Sequence, residues 1–238
     1  MKISDNGIIL FSKKIQENLM LIKIFSENNG ICSGFAKNIS SKKIHNYQTG
    51  NLVKFQKFAR TCDQLGTVSC ESIRSYQWHI MSSKLKLHSF TSISHLILGC
   101  FEEREAHNNS YHVIVSFLEN LTITNFSWLK YFQTEINLLR DAGYGLELDR
   151  CAVTNELENL LYVSPKSGRA VSAAAAKNYE HLLLNLPEFL VKQTEPSDFQ
   201  EIDNAFKLCE YFFGRYIWKD RVNPSFIKAR NMLKSSYI

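Results

Sequence analysis

The chain has 238 residues, of which 45% are hydrophobic and 21% charged, enough apolar material for one large or two ordinary domains and too much for a disordered chain. With 10 Gly and 4 Pro it is neither collagenous nor proline-rich. The net charge of +5 is unevenly spread: residues 1–70 carry ten Lys/Arg against four Asp/Glu, and the remaining 168 carry eighteen against nineteen. A basic leading third joined to a neutral body fits a polyanionic partner or, equally, a solvated basic face.

The first apolar stretch, Gly7 to Phe11, is too short for the core of a signal peptide. Leu85 to Phe101 is interrupted by Lys86, His88 and His95, so no membrane span is expected and a soluble cytoplasmic protein is the default. The six cysteines, at 32, 62, 70, 100, 151 and 209, contain no CxxC. They match neither a disulfide framework nor a zinc ribbon and read as reduced, mostly buried thiols.

In chain order, the apolar runs Ile8–Phe11, Leu19–Phe25, Ile31–Ala36, Leu52–Phe58 and Leu65–Ser69 alternate with turn-rich pieces such as Ser26–Gly30 and Tyr47–Asn51. Five short strands at this spacing predict a small closed barrel over residues 1–80. Within Leu52–Phe58, Val53 and Phe55 alternate with Lys54 and Gln56, and Lys57 falls on the apolar side; Leu52, Phe55 and Ala59 also fit a helix. After residue 80 the period lengthens. Helices are predicted around 82–101, 109–120 and 170–184. Trp128, Phe132 and Leu139, with Glu135 as the polar exception, lay a stripe along another helix. Phe199, Ile202, Phe206, Cys209, Phe213 and Tyr216 do the same further on. That helix is expected to open on a capping box of Ser197 and Gln200, and Asn223-Pro224 to end it and start a terminal one. Residues 143–169 show no period and form a long irregular connection. The fold class is therefore α+β: a five-stranded barrel over 1–80, then an α-helical bundle over 81–238 with the irregular loop at about 143–169.

Catalytic motifs are weak. Ser40-Ser41-Lys42-Lys43 and Ser83-Lys84-Leu85-Lys86 match S-x-x-K, but the first lies in a polar turn where the amine stays solvated. No phosphate-cradling glycine loop occurs. The seven His do not pair at metal-ligand spacing. Neither an enzyme nor a cofactor or metal protein is expected. The pattern favours nucleic acid: Lys37, Lys42, Lys43, Lys54, Lys57 and Arg60 cluster around the middle strands, with Phe35, Tyr47, Phe55 and Phe58 interleaved as core residues or base-stacking surfaces.

The loop carries a resemblance. Tyr162–Ser172, reading Tyr-Val-Ser-Pro-Lys-Ser-Gly-Arg-Ala-Val-Ser, resembles a signature of the RecO family of DNA repair and recombination mediators in its alphaproteobacterial form. Gly145–Cys151 and Leu183–Leu190 resemble the segments flanking it. Gln48–Asn51, Ala59-Arg60 and Asp63–Thr67 resemble the family's barrel, and Tyr211–Tyr216 its last long helix. The resemblance spans nearly the whole chain in preserved order. It implies an N-terminal OB-fold, a helical C-terminal domain and a loop that binds zinc in some members. It also implies a non-enzymatic protein of the RecF pathway that binds single- and double-stranded DNA, anneals complementary strands and helps load recombinase. The implied partners are RecR and the C-terminal tail of single-strand-binding protein. Only Cys151 remains in the loop, so a degenerate zinc-finger-like segment without metal is expected. Lys166 and Arg169 then either extend the phosphate-binding surface or are solvated loop charges. Phe132, Leu139 and Arg140 are candidates for docking the acidic tail, against the plain reading of a core helix ending in a surface Arg. An interaction scaffold and an RNA-binding OB module are the alternatives.

Overall fold

The computed structural model describes residues 2–37, 39–40, 43–61, 64–218 and 224–237; Lys42 lies outside them. The chain divides into two compact units, residues 1–126 with 228–238, and residues 127–227.

In the first unit, β1 (Lys2–Gln16), β2 (Leu19–Ser26), β3 (Gly30–Lys37), β4 (Asn51–Phe58) and β5 (Thr67–Ser75) close a barrel in the order β1-β2-β3-β5-β4. That order, with β3 and β5 parallel, is the five-stranded OB arrangement. The long first strand makes closure possible. Its leading half pairs with β4 from Lys2↔Phe58 to Ile8↔Leu52, and its trailing half with β2 from Gly7↔Ser26 to Gln16↔Leu19. Register shifts after Ile9 and Lys14 bend it between the two roles. Period-2 alternation points Ile3, Ile9, Ile22, Ile24, Val53 and Phe55 inward. At Gly34 the walls come close: an added Cβ would stand 2.3 Å from a Val68 methyl.

The five strands match the five runs expected from the sequence, although β1 starts earlier and β5 continues further. A 3₁₀ turn, Ile44–Tyr47, links β3 to β4 and sends Tyr47 into the core. This unit also holds α1 (Gln77–Met81), α2 (Lys84–Cys100) and α3 (Asn108–Leu121), together with the larger part of the terminal helix, residues 228–234. Ser83 caps α2 by accepting from the Lys86 N–H at 3.2 Å. The buried Lys86 ammonium donates to the carbonyls of Leu121 (2.9 Å) and Ile123 (2.6 Å), satisfying orphan acceptors at the end of α3. Phe25 faces outward from β2 and stacks on Phe101 at 5.8 Å, so this side of the barrel is covered by protein.

The second unit is built on α4 (Trp128–Asp141) and α7 (Phe199–Phe213). Each carries the stripe expected of it, and the two stripes meet: Phe206 lies 4.9 Å from Phe132 and 5.7 Å from Trp128, ring to ring. A small antiparallel sheet of β6 (Leu160–Val163), β7 (Ala170–Ser172) and β8 (Leu184–Asn185) occupies the middle. Between these elements lie α5 (Ala173–Ala176) and α6 (Glu188–Lys192). The helix expected over 170–184 is therefore corrected to strand, one helical turn, a 3₁₀ turn and strand. β7 is held by pairing with β6, and Asn178 takes a left-handed φ of 73° that stops α5. The cap of α7 is shifted by one residue from expectation. Asp198 accepts from the Glu201 N–H at 2.9 Å, and the Glu201 carboxylate accepts from the Ser197 N–H at 2.8 Å. Gln200 instead reaches along the helix to Asn204. A π turn, Gly214–Trp218, follows α7, and α8 (Pro224–Lys234) begins at its proline.

Candidate nucleic-acid interface

Cross-strand register brings distant residues into one row on the outer wall of the barrel. Lys13 lies opposite Leu21, Leu21 opposite Phe35, Phe35 opposite Thr67, Thr67 opposite Phe58, and Phe58 opposite Lys2. Directly opposed residues share a face, so two partly exposed rings stand between lysines. Leu19 and Lys37 form the neighbouring pair, and Lys23 stands opposite Ser33.

Where β3 meets β5, this row sinks into an open hollow of about 840 Å³. Lys2, Lys37 and Arg60 supply its charge, and Phe35 and Phe58 its rings. The remaining wall is the β4–β5 loop, held to β3 by the Phe35 N–H donating to the Gly66 carbonyl at 3.0 Å. Gly66 has a φ of +66°, and a Cβ there would stand 2.1 Å from the Phe58 carbonyl oxygen, so the loop turns here only with glycine. Phe58 is 46% exposed, with the Lys2 ammonium 5.3 Å from its ring centroid. Among the described residues that line it, none carries a carboxylate. Chemically this is an aromatic shelf ringed by cations, suited to a stacked base and its flanking phosphates.

Of the barrel residues singled out from sequence, Lys37 and Arg60 share this hollow. Lys43 is exposed before the 3₁₀ turn. Lys54 is exposed on the outer wall of β4, opposite Asn6 and Glu71. Lys57 points inward between Ile3 and Val68 and is 4% exposed. Burial pushes the Cys32 thiol up to about 11, with the Lys57 charge pulling the other way. Among the rings, Phe35 and Phe58 line the hollow, whereas Tyr47 and Phe55 are core. Lys2, Lys13 and Lys23 were missed as site residues; the extension of β1 alternation beyond its apolar run would have found the first two, and the polar, outward position within the run Leu19–Phe25 the third.

In the second unit, Lys166 is exposed in the β6–β7 turn, which closes through the Ser164 N–H donating to the Arg169 carbonyl at 2.9 Å. Arg169 is ion-paired with Glu147 at 2.9 Å, so its charge is locally neutralised. Phe132 and Leu139 are 0% exposed and offer no surface to a partner in the folded protein. Arg140 is exposed and lines a cleft of about 860 Å³ with Ile136, Leu146, Leu148, Leu157 and Leu190. Cys151 is fully buried, its sulfur accepting from the Ser172 N–H at 3.3 Å. Burial pushes its thiol up, but hydrogen bonds from Ser172 and Thr154 pull harder and bring it down to about 6. Among the described residues no three His, Cys, Asp or Glu side chains form a metal-binding group, so this loop does not fit a zinc site. No helix of the described residues is long and apolar enough to cross a membrane.

Comparison with known proteins covers the whole chain. Residues 1–76 match the family described as Recombination protein O N terminal, and residues 83–222 the family described as Recombination protein O C terminal. The chain is 44% identical to the DNA repair protein RecO of Orientia tsutsugamushi (strain Boryong), covering 100% of this chain and 98% of that protein. It is 39% identical to the DNA repair protein RecO of Rickettsia bellii (strain OSU 85-389), over 94% and 92% of the two chains.

Proposed function

The chain belongs to the RecO family of DNA repair and recombination proteins, and from that premise we propose that it is a non-enzymatic mediator in the cytoplasm that binds single- and double-stranded DNA through its barrel, anneals complementary strands and helps load recombinase. The observation that carries this reading is the hollow where Lys2, Lys37 and Arg60 surround Phe35 and Phe58.

Annealing brings two polyanions together. A protein assists by neutralising phosphates while leaving base edges free to pair, and lysines flanking flat rings do this without reading sequence. Lys13 and Lys23 continue the positive surface beyond the hollow. Lys54 contributes less, since Glu71 stands opposite it across the strands.

RecR and the acidic C-terminal tail of single-strand-binding protein are the proposed protein partners. For the tail, the Arg140 cleft replaces Phe132 and Leu139 as the favoured site: an apolar end can rest on the exposed Leu157 while the guanidinium, set in the same lining as Glu147 and Asp149, meets a carboxylate.

The test is binding of single-stranded DNA over a range of salt. With about five cations engaged, log affinity should fall against log salt with a slope of roughly −3.5. A slope near zero, or a preference for RNA over DNA of the same sequence, would remove this reading in favour of a scaffold or an RNA-binding module.

A further inference from the structure

Trp78 on α1 is 83% exposed, whereas Trp128 and Trp218 are 9% and 8% exposed. With Met81, Ser75, Gln77 and Ser82 it lines a second open hollow, of about 550 Å³, away from the first. Leaving an indole in water forfeits the burial that usually accompanies so large an apolar ring, so its exposure calls for a ligand that covers it.

Charge and size select the ligand. Among the described residues the hollow is lined by no carboxylate, and the chain from Ser72 to Phe101 contains neither Asp nor Glu while carrying Arg74, Lys84 and Lys86. Lys86 is consumed at the end of α3, and Arg74 is paired with Glu119 at 2.6 Å; Lys84 remains exposed beside the helix. The described lining is thus neutral, with the exposed Lys84 two residues beyond Ser82, and sets no negative charge of its own against a polyanion. The apolar surface is one ring and one thioether side chain set among hydroxyls and an amide. That is far below the roughly 800 Å² per partner of a stable protein interface and matches the face of a single base.

Position fits as well. β5 starts at Thr67 in the wall of the first hollow and ends at Ser75 in the wall of the second. Its nine residues span roughly 27 Å, a distance that a strand occupying several nucleotides of an OB fold can cover.

We propose that Trp78 is a second base-stacking platform, which receives single-stranded nucleic acid after it leaves the Phe35–Phe58 hollow. This rests on the nucleic-acid reading above and extends its path along β5. The test uses the full chain with oligothymidylates of about five and about fifteen nucleotides, the shorter reaching only the first hollow. Trp78 emission is read as the difference between the wild type and W78F. The expected result is that the long strand quenches this emission and that W78A weakens long-strand binding roughly five- to hundredfold. W78F should restore most of the affinity, and the short strand should bind all three proteins alike. A thermal melt checks that W78A is folded. Equal affinity of wild type and W78A for the long strand, or unquenched Trp78 at saturation, overturns the platform while salt-dependent binding of the short strand leaves the first hollow intact. Failure of both strands to bind overturns both. A change in the oligomeric state of W78A with unchanged DNA binding overturns the platform in favour of a self-association face.

Discussion

Lys57 and Phe58 are neighbours in the chain and face opposite sides of β4, and that single alternation separates a closed-in charge from an interface ring. Lys37→Ala and Arg60→Ala should each weaken single-stranded DNA binding and flatten the salt slope by about 0.7, one phosphate contact apiece. Lys57→Met, which keeps the aliphatic stem, should leave that slope unchanged in the same titration. Asp5, near the start of β1, does a different task. It accepts from the Ser26 hydroxyl at 2.5 Å, the Asn28 N–H at 2.8 Å and the Asn29 amide at 2.8 Å, tying β1 to the β2–β3 turn. Burial pushes its carboxyl up, but these hydrogen bonds pull harder and hold it below the usual carboxylate range. A lowered folded value stabilises above the unfolded value and is lost as pH falls through the folded one. Asp5→Asn should therefore cost about 1–3 kcal/mol at neutral pH, and the gap to wild type in denaturant melts should close below about pH 4.

At the scale of elements, periodicity was most legible where it ran longest. The α4 and α7 stripes and the five barrel strands each bury a face that repeats in sequence, so local pattern and tertiary packing agree. The segment 170–184 misled because Ala173–Ala176 is strongly helix-favouring. Pairing of β6 with β7 and β8 overrides that preference on either side of a single turn. β6 itself has only four residues, too few to show a period of two within 143–169. The α7 cap was found to within one position: Ser197 and Asp198 are both good caps, and backbone geometry chose the second. Asp198→Ala should consequently cost about 0.5–2 kcal/mol of stability, with Ser197→Ala costing clearly less, as read from paired urea melts.

For the molecule as a whole, an end at residue 80 was the natural reading of where strands give way to helices. Phe25 and Ile31 carry a consequence that the strand pattern alone does not reveal. Phe25 stacks on Phe101 and leans on Tyr111, and the Ile31 carbonyl accepts from the Arg104 N–H at 3.2 Å. A fragment ending at residue 80 should leave this outer wall bare and aggregate or bind a hydrophobic dye, whereas residues 1–126 should do so less. Dye fluorescence and light scattering of the two fragments provide the measurement. By itself the sequence determined the local matters: five alternating strands, amphipathic helices, the concentration of positive charge in residues 1–70 and the family signature in 162–172. Each of these depends on residues close together in the chain. Only the tertiary structure decided which cations share a surface. Lys2 joins Phe58 through β1–β4 pairing, and Phe35 meets Thr67 where β3 and β5 close the barrel. Closure is a long-range event whose register is set by bulges and by the one side of the wall that must be dry.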